Sequence, residues 1–205
     1  MIRNLIFDFG NVLVRFDPAA IVRQCVPSCA ANDRALLAQV CFDRAYWDRM
    51  DAGTLDEPEA AALACTRLPE SLHPAARAIF ANWYRVLPEL DGMAALLASL
   101  RAHGYRLYLL SNISRGFAAY CDALPILQPF DGRVLSGPIG LVKPSAEIFS
   151  HLLDRYRLRA AECLFIDDMP RNIAGANAVG IDAILFPGRA DALCAQLAAH
   201  GVSIR

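Results

Sequence analysis

Asn4-Leu5-Ile6-Phe7-Asp8-Phe9-Gly10-Asn11-Val12-Leu13 lies almost at the start of the 205-residue chain. It is an apolar run that meets a carboxylate and then turns through a glycine and an asparagine. Apolar residues without polar alternation fit a strand covered on both faces, as in a parallel sheet packed between helices. A strand is therefore expected over residues 4–9. Further along, three apolar segments of the same kind, 106–110, 162–166 and 183–186, predict companion strands, and 133–135 adds a shorter one.

The stretches 145–156 and 170–179 carry apolar residues at helical spacing. Pro144 and Pro170 sit near their expected first turns, and Gly180 follows the second. Strand alternating with helix predicts an α/β fold, a doubly wound Rossmann-like parallel sheet. One connection is too long for that pattern. A βαβ unit needs about 30 residues, yet nearly a hundred separate Asp8 from Arg106. Ala, Leu and Arg recur at helical spacing over 35–50, 58–66 and 74–87, so a helical insert is expected over roughly 14–88, with a helix at 92–103 returning to the sheet.

Composition narrows the function classes. Twenty basic residues balance twenty-one acidic ones with no cationic run, which leaves no electrostatic footprint for nucleic acid or a polybasic membrane contact. No apolar stretch reaches membrane-spanning length, and no secretory signal is read at the start, so a cytoplasmic protein is expected. Seven scattered cysteines read as reduced thiols; Cys25 and Cys29 lack the second pair that a zinc site needs. Oligomeric state is not legible.

Ligands of open α/β sheets bind beyond the carboxyl ends of the strands. Asp8 ends the first predicted strand, Ser111-Asn112 follow the second, and Asp167-Asp168 follow the third. Lys143, the only lysine of the chain, stands in Gly140-Leu141-Val142-Lys143-Pro144 just before a helix. Singly, each has an ordinary structural reading: a turn cap for Asp8, turn residues for Ser111 and Asn112, a helix N-cap for the acid pair, a solvated charge for Lys143. Together they bring a carboxylate nucleophile, hydroxyl and amide donors, paired carboxylates and one cation to one sheet edge. That set suits displacement at a phosphate ester through an aspartyl-phosphate, with a hard divalent cation offsetting the repulsion between carboxylate and phosphate.

These motifs, in this order, resemble the haloacid dehalogenase superfamily: Asp8 to Leu13, Ser111-Asn112, Lys143-Pro144, and Asp167-Asp168 with Asn172 four residues on. Within it the chain is most similar to the bacterial sugar-phosphatase branch that includes α-glucose-1-phosphate phosphatase. The resemblance implies a core of residues 1–14 and 89–205, with a helical cap of 15–88 inserted after the first strand. It implies Asp8 as nucleophile and catalytic Lys143, with Ser111, Asn112 and Lys143 binding the phosphoryl group of a small-molecule phosphate ester. It implies Mg²⁺ held by Asp8, the Gly10 carbonyl, Asp167 and Asp168, with Asn172 orienting Lys143.

The pattern departs at Gly10, where most phosphatases of the family carry a second aspartate that protonates the leaving group. One alternative is a metal-free 2-haloacid dehalogenase, whose halide leaves without a proton; two adjacent carboxylates argue against it. Others are a phospho-receiver signalling domain, in which the acid pair precedes the acceptor, and a catalytically silent relative. If the chain is a phosphatase, either its leaving group is acidic enough alone or another residue, such as Asp17 or one in the cap, supplies the proton. Trp47, Asp48, Arg49 and Asp51 of the cap are candidates for substrate recognition.

Overall fold

The computed structural model describes residues 1–203. Five parallel strands run in the order β3-β2-β1-β4-β5: β1 (Asn4–Phe7), β2 (Arg106–Ser111), β3 (Gly132–Leu135), β4 (Cys163–Asp167) and β5 (Asp182–Leu185). The α/β fold with a helical insert after the first strand is as the sequence predicts. β1 stops at Phe7, two residues short of expectation, because the N–H groups of Val12, Leu13 and Val14 all turn back onto the Phe9 carbonyl. β2 runs one residue longer, through Ser111, and β4 is shifted forward by one, ending at Asp167.

β1 is central, pairing Leu5 with Leu107 on one side and with Leu164 on the other. Its side chains alternate between two cores. Leu5 and Phe7 join Leu107, Leu109, Leu164 and Ile166 under α6 (Met93–Ala102) and α11 (Ala190–Ala199), which contribute Leu97, Leu100, Leu193 and Leu197. Ile6 joins Tyr108, Leu110 and Phe165 on the opposite face, under α9 (Ala146–Tyr156) and α10 (Pro170–Ala178). Both faces are buried, so the strands carry no polar alternation. The chain winds outward through β2 and β3, then returns across β1 to β4, which opens the ligand-binding crevice between β1 and β4.

The insert folds into α1 (Pro18–Cys25), α2 (Ala31–Cys41), α3 (Arg44–Asp51), α4 (Glu57–Cys65) and α5 (His73–Asn82). The stretch 35–50, read as one helical run, divides between α2 and α3, because Asp43 accepts a hydrogen bond from the Ala45 N–H and starts a new helix. Asp56 and Glu59 form a reciprocal capping box on α4. These helices enclose a separate apolar cluster containing Val22, Leu37, Met50, Ala60, Ile79 and Phe80.

The insert is tied to the sheet by a buried polar contact. After β2 come α7 (Arg115–Tyr120) and, beyond β3, the short α8 (Ser136–Ile139). Ser114 caps α7 by accepting from the Phe117 N–H, and its hydroxyl donates to the carboxylate of Glu57, itself only 8 % exposed. Gly53, at φ +69°, lets the end of α3 approach so closely that a Cβ there would lie 2.1 Å from the Gly137 carbonyl oxygen. Ser114→Ala strands a buried carboxylate and removes a cap; a loss of about 1–3 kcal/mol is expected in urea unfolding. No measurable loss would mean that this contact does not hold the insert.

Candidate active site

The predicted residues converge at the carboxyl ends of β1, β2 and β4. Asp8 continues the ladder by one bond, its N–H donating to the Ile166 carbonyl at 2.9 Å. Asn11, at φ +55°, reverses the chain; its Oδ1 accepts from the Phe16 N–H at 3.0 Å and its Nδ2 donates to Asp168 at 3.3 Å. Asparagine tolerates that left-handed backbone better than most residues. Lys143 is 3 % exposed, with Nζ 2.8 Å from Asp8 Oδ1 and 2.6 Å from Asp167 Oδ2, and 5.3 Å from the centre of the Phe165 ring. Ser111 lines the cleft beside Asp8.

Three placements differ from expectation. The Asn112 side chain is committed to the Lys143 backbone, accepting from its N–H at 2.8 Å and donating to its carbonyl at 3.0 Å, so it holds the lysine loop against β2. Asn172 meets Asp167, not Lys143, donating to its two oxygens at 2.9 and 3.0 Å. The acid pair is also divided. Asp167 is the last residue of β4, fully buried, and is held further by the Met169 N–H at 2.8 Å, whereas Asp168 lines the cleft. Neither acid caps α10, whose N-cap is Met169.

Buried charge is unevenly balanced here. One ligand oxygen from each of Asp8, Asp167 and Asp168 lies within 4.8 Å of the others, against a single ammonium. Burial pushes the Asp8 carboxyl up to about 6, with Asp167 adding to the rise and Lys143 opposing it. Burial likewise raises Asp168, helped by Asp167. For Lys143 burial acts downward, but Asp8 and Asp167 outweigh it and the net shift is upward. Asp8 Oδ1 is paired by charge with Lys143 yet accepts no well-aligned hydrogen bond. Three oxygen donors with excess negative charge, one of them incompletely satisfied, fit a hard divalent cation. Among the described residues, the cysteines form no comparable group.

A cleft of about 530 Å³ opens above these residues. The core supplies its polar floor. The insert supplies an aromatic wall in which Phe42 and Trp47 stack at 5.1 Å and Phe16 and Trp83 meet Trp47 edge-on at 5.2 and 4.8 Å. Of the four insert residues singled out in the sequence, Trp47, Asp48 and Asp51 reach the cleft, whereas Arg49 does not line it. Asp48 is ion-paired with Arg44 at 2.9 Å. Asp17 caps α1, accepting from the N–H groups of Ala19 and Ala20.

A family model described as haloacid dehalogenase-like hydrolase matches residues 2–180. The chain belongs to the haloacid dehalogenase-like hydrolases. This hydrolase is 25 % identical over 200 residues to flavin mononucleotide hydrolase 1 of Arabidopsis thaliana, spanning 98 % of its own length and 78 % of the relative. Its fold matches that of a haloacid dehalogenase family enzyme from Bacteroides thetaiotaomicron in complex with magnesium and inorganic phosphate (TM-score 0.67, 22 % identity, 90 % and 93 % of the two chains). It equally matches L-2-haloacid dehalogenase from Xanthobacter autotrophicus (TM-score 0.68, 20 % identity, 100 % and 85 %). At these identities the structures establish the fold of the hydrolase and no more.

Sequence reasoning missed the Asn11 bond to Asp168 and the aromatic wall. Asn11 had a signal, a polar residue directly after Gly10 in a tight turn. Phe16, Phe42 and Trp83 had none, being scattered over the insert and joined only by its packing.

Proposed function

We propose that this hydrolase is a Mg²⁺-dependent phosphatase of a small phosphorylated metabolite, acting through an aspartyl-phosphate on Asp8. The observation that carries this reading is the convergence of Asp8, Asp167 and Asp168 on one edge, with Lys143 bridging Asp8 and Asp167. When bound, Mg²⁺ supplies a Lewis acid that offsets the charge between nucleophile and phosphate. Asp8, Asp167, Asp168 and the Gly10 carbonyl would hold it, with Asp167 also fixing Lys143.

Asp8 attacks phosphorus as the ester oxygen departs, and water then attacks the same phosphorus to free the carboxylate. Ser111 Oγ donates to a phosphoryl oxygen, Lys143 Nζ stabilises the developing charge, and Asn112 keeps the lysine loop in place. We assign residues 15–88 to a cap that excludes water, over a core of 1–14 and 89–205. Within the class of small phosphorylated metabolites, a sugar phosphate suits the site: the ring presents C–H faces to the Phe42–Trp47 wall while its phosphate reaches the polar floor. The same wall also accepts a flat, apolar leaving group. A metal-free dehalogenase is disfavoured, because the three clustered carboxylates would repel without a cation.

Assay of phosphate release from p-nitrophenyl phosphate and a sugar-phosphate panel, with Mg²⁺ and with chelator, tests the reading. Metal-dependent release is expected; chloride release from a 2-chloro acid in chelator would overturn it. Proton linkage gives a second prediction. A cation at the site must displace the proton that Asp8 holds below about 6. Mg²⁺ affinity should therefore tighten up to about tenfold per pH unit below that value and level off above it. Calorimetry in buffers of different ionisation enthalpy measures it, and an affinity flat from pH 5 to 7 would contradict it.

A further inference from the structure

Gly10 leaves the core without a proton donor for the leaving group, so the donor must be sought among the other acids of the cleft. Four carboxyls line it: Asp8, Asp48, Asp51 and Asp168. Asp8 is the nucleophile of the proposed reaction. Asp168 lies on the cation side and accepts a bond from Asn11. Asp48 is 60 % exposed and ion-paired with Arg44 at 2.9 Å. Asp51, the last residue of α3, is left, and its carboxyl accepts no hydrogen bond from any described residue.

We propose that Asp51 is the general acid of this hydrolase, protonating the departing oxygen from the insert side of the cleft in place of a donor at position 10. The inference rests on the phosphatase reading above and adds to it the residue that handles the proton. In the first step the P–O bond to the leaving group breaks, Asp8 bonds to phosphorus, and the leaving oxygen takes the Asp51 proton. In the second, water attacks phosphorus, Asp51 takes its proton, and the Asp8–phosphorus bond breaks. Asp51 ends protonated and Asp8 ionised, so the cycle closes without another reagent.

The surroundings keep Asp51 supplied with that proton. Burial, then Asp48 and then Asp8, push it up to about 7, against the weaker pull of Lys143 and Arg44. Of the groups packed on α3, α8 has no titratable side chain, in α4 Glu57 accepts from Ser114 and Glu59 from the Asp56 N–H, Arg67 is paired with Asp43 at 2.7 Å, and the Arg115 guanidinium beside Gly53 donates to the Gly137 carbonyl. Position 10 itself is open. A Cβ built there would meet only Phe16 Cβ, at 4.0 Å, and Asp8, Gly10 and Asp51 line the same cleft.

Leaving-group dependence tests the assignment. Asp51→Asn keeps the shape and removes a charge that burial disfavours, so its melting temperature should match or exceed wild type. Against a panel of alkyl phosphates, whose leaving alkoxide needs a proton, kcat/KM should fall by about 10²–10⁴-fold. Against p-nitrophenyl phosphate, whose phenolate departs unaided, it should fall by less than about tenfold. The basic limb of the wild-type pH profile for alkyl esters should also vanish. Equal losses on both ester types, or unchanged alkyl turnover, would overturn the role while leaving the phosphatase reading intact. Wild-type protein that hydrolyses only p-nitrophenyl phosphate would do the same, since that is the behaviour of a site without an acid. Wild-type protein inert to every ester would instead remove the phosphatase reading, and this proposal with it.

Discussion

Asp8→Asn should lower kcat/KM for any phosphate ester by about 10⁴-fold or more, because a neutral amide cannot form the aspartyl-phosphate. The same substitution should leave the fold as stable as wild type or more stable. In metal-free protein Asp8, Asp167 and Lys143 leave one uncompensated negative charge in a site that is almost fully buried. The neutral amide would remove it and keep the 2.6 Å pair between Lys143 and Asp167. The sign follows from linkage. The folded pKa of Asp8 is raised above its ordinary 3.8 to about 6, so the folded state holds a proton that the unfolded state has lost. Wild-type stability therefore falls as pH rises through that window, and the deficit persists above it. Asp8→Asn should flatten this slope in chelator. Residual turnover within about tenfold of wild type would reassign the nucleophile; a destabilised variant would show that Asp8 is there for the fold.

Lys143→Met should have the largest effect on stability. Met fills a similar volume but leaves Asp8 and Asp167 facing each other, buried and without their shared cation. Removing one partner from a buried ion pair costs about 3–5 kcal/mol. The loss should shrink as pH falls and Asp8 takes up a proton, which without the opposing lysine happens at a higher pH than in wild type, and Mg²⁺ should restore part of it. Lys143→Arg should not rescue, since a planar guanidinium cannot replace a compact ammonium within 2.6–2.8 Å of two separate carboxylates. Guanidinium unfolding at pH 5 and 8 in chelator reads both effects. A loss below about 1 kcal/mol at pH 8 would mean that the cluster is far better solvated than its burial implies.

The sheet was legible because strands buried on both faces show as unbroken apolar runs, and because Asp8, Ser111 and the acid pair each mark a strand end. Strand limits were less so: nothing local in Cys163–Asp167 says that the strand takes in its first aspartate and excludes the second. That single residue decides which acid is buried beside Lys143 and which faces the cleft. The commitment of Asn112 to the lysine loop depends on two segments 31 residues apart and leaves no local signature. Asp51 is the extreme case. In sequence it is one polar residue at the end of an amphipathic helix, and only the docking of α3 over the sheet edge brings it to Asp8.

Rapid-quench mass spectrometry of the wild-type protein, mixed with p-nitrophenyl phosphate and Mg²⁺, reports directly on Asp8 as a phosphate-accepting nucleophile. A phosphoryl group that is labile to hydroxylamine should appear on Asp8, and should be absent in chelator and in Asp8→Asn. Steady turnover with Asp8 never phosphorylated, or turnover undiminished by chelator, would contradict it.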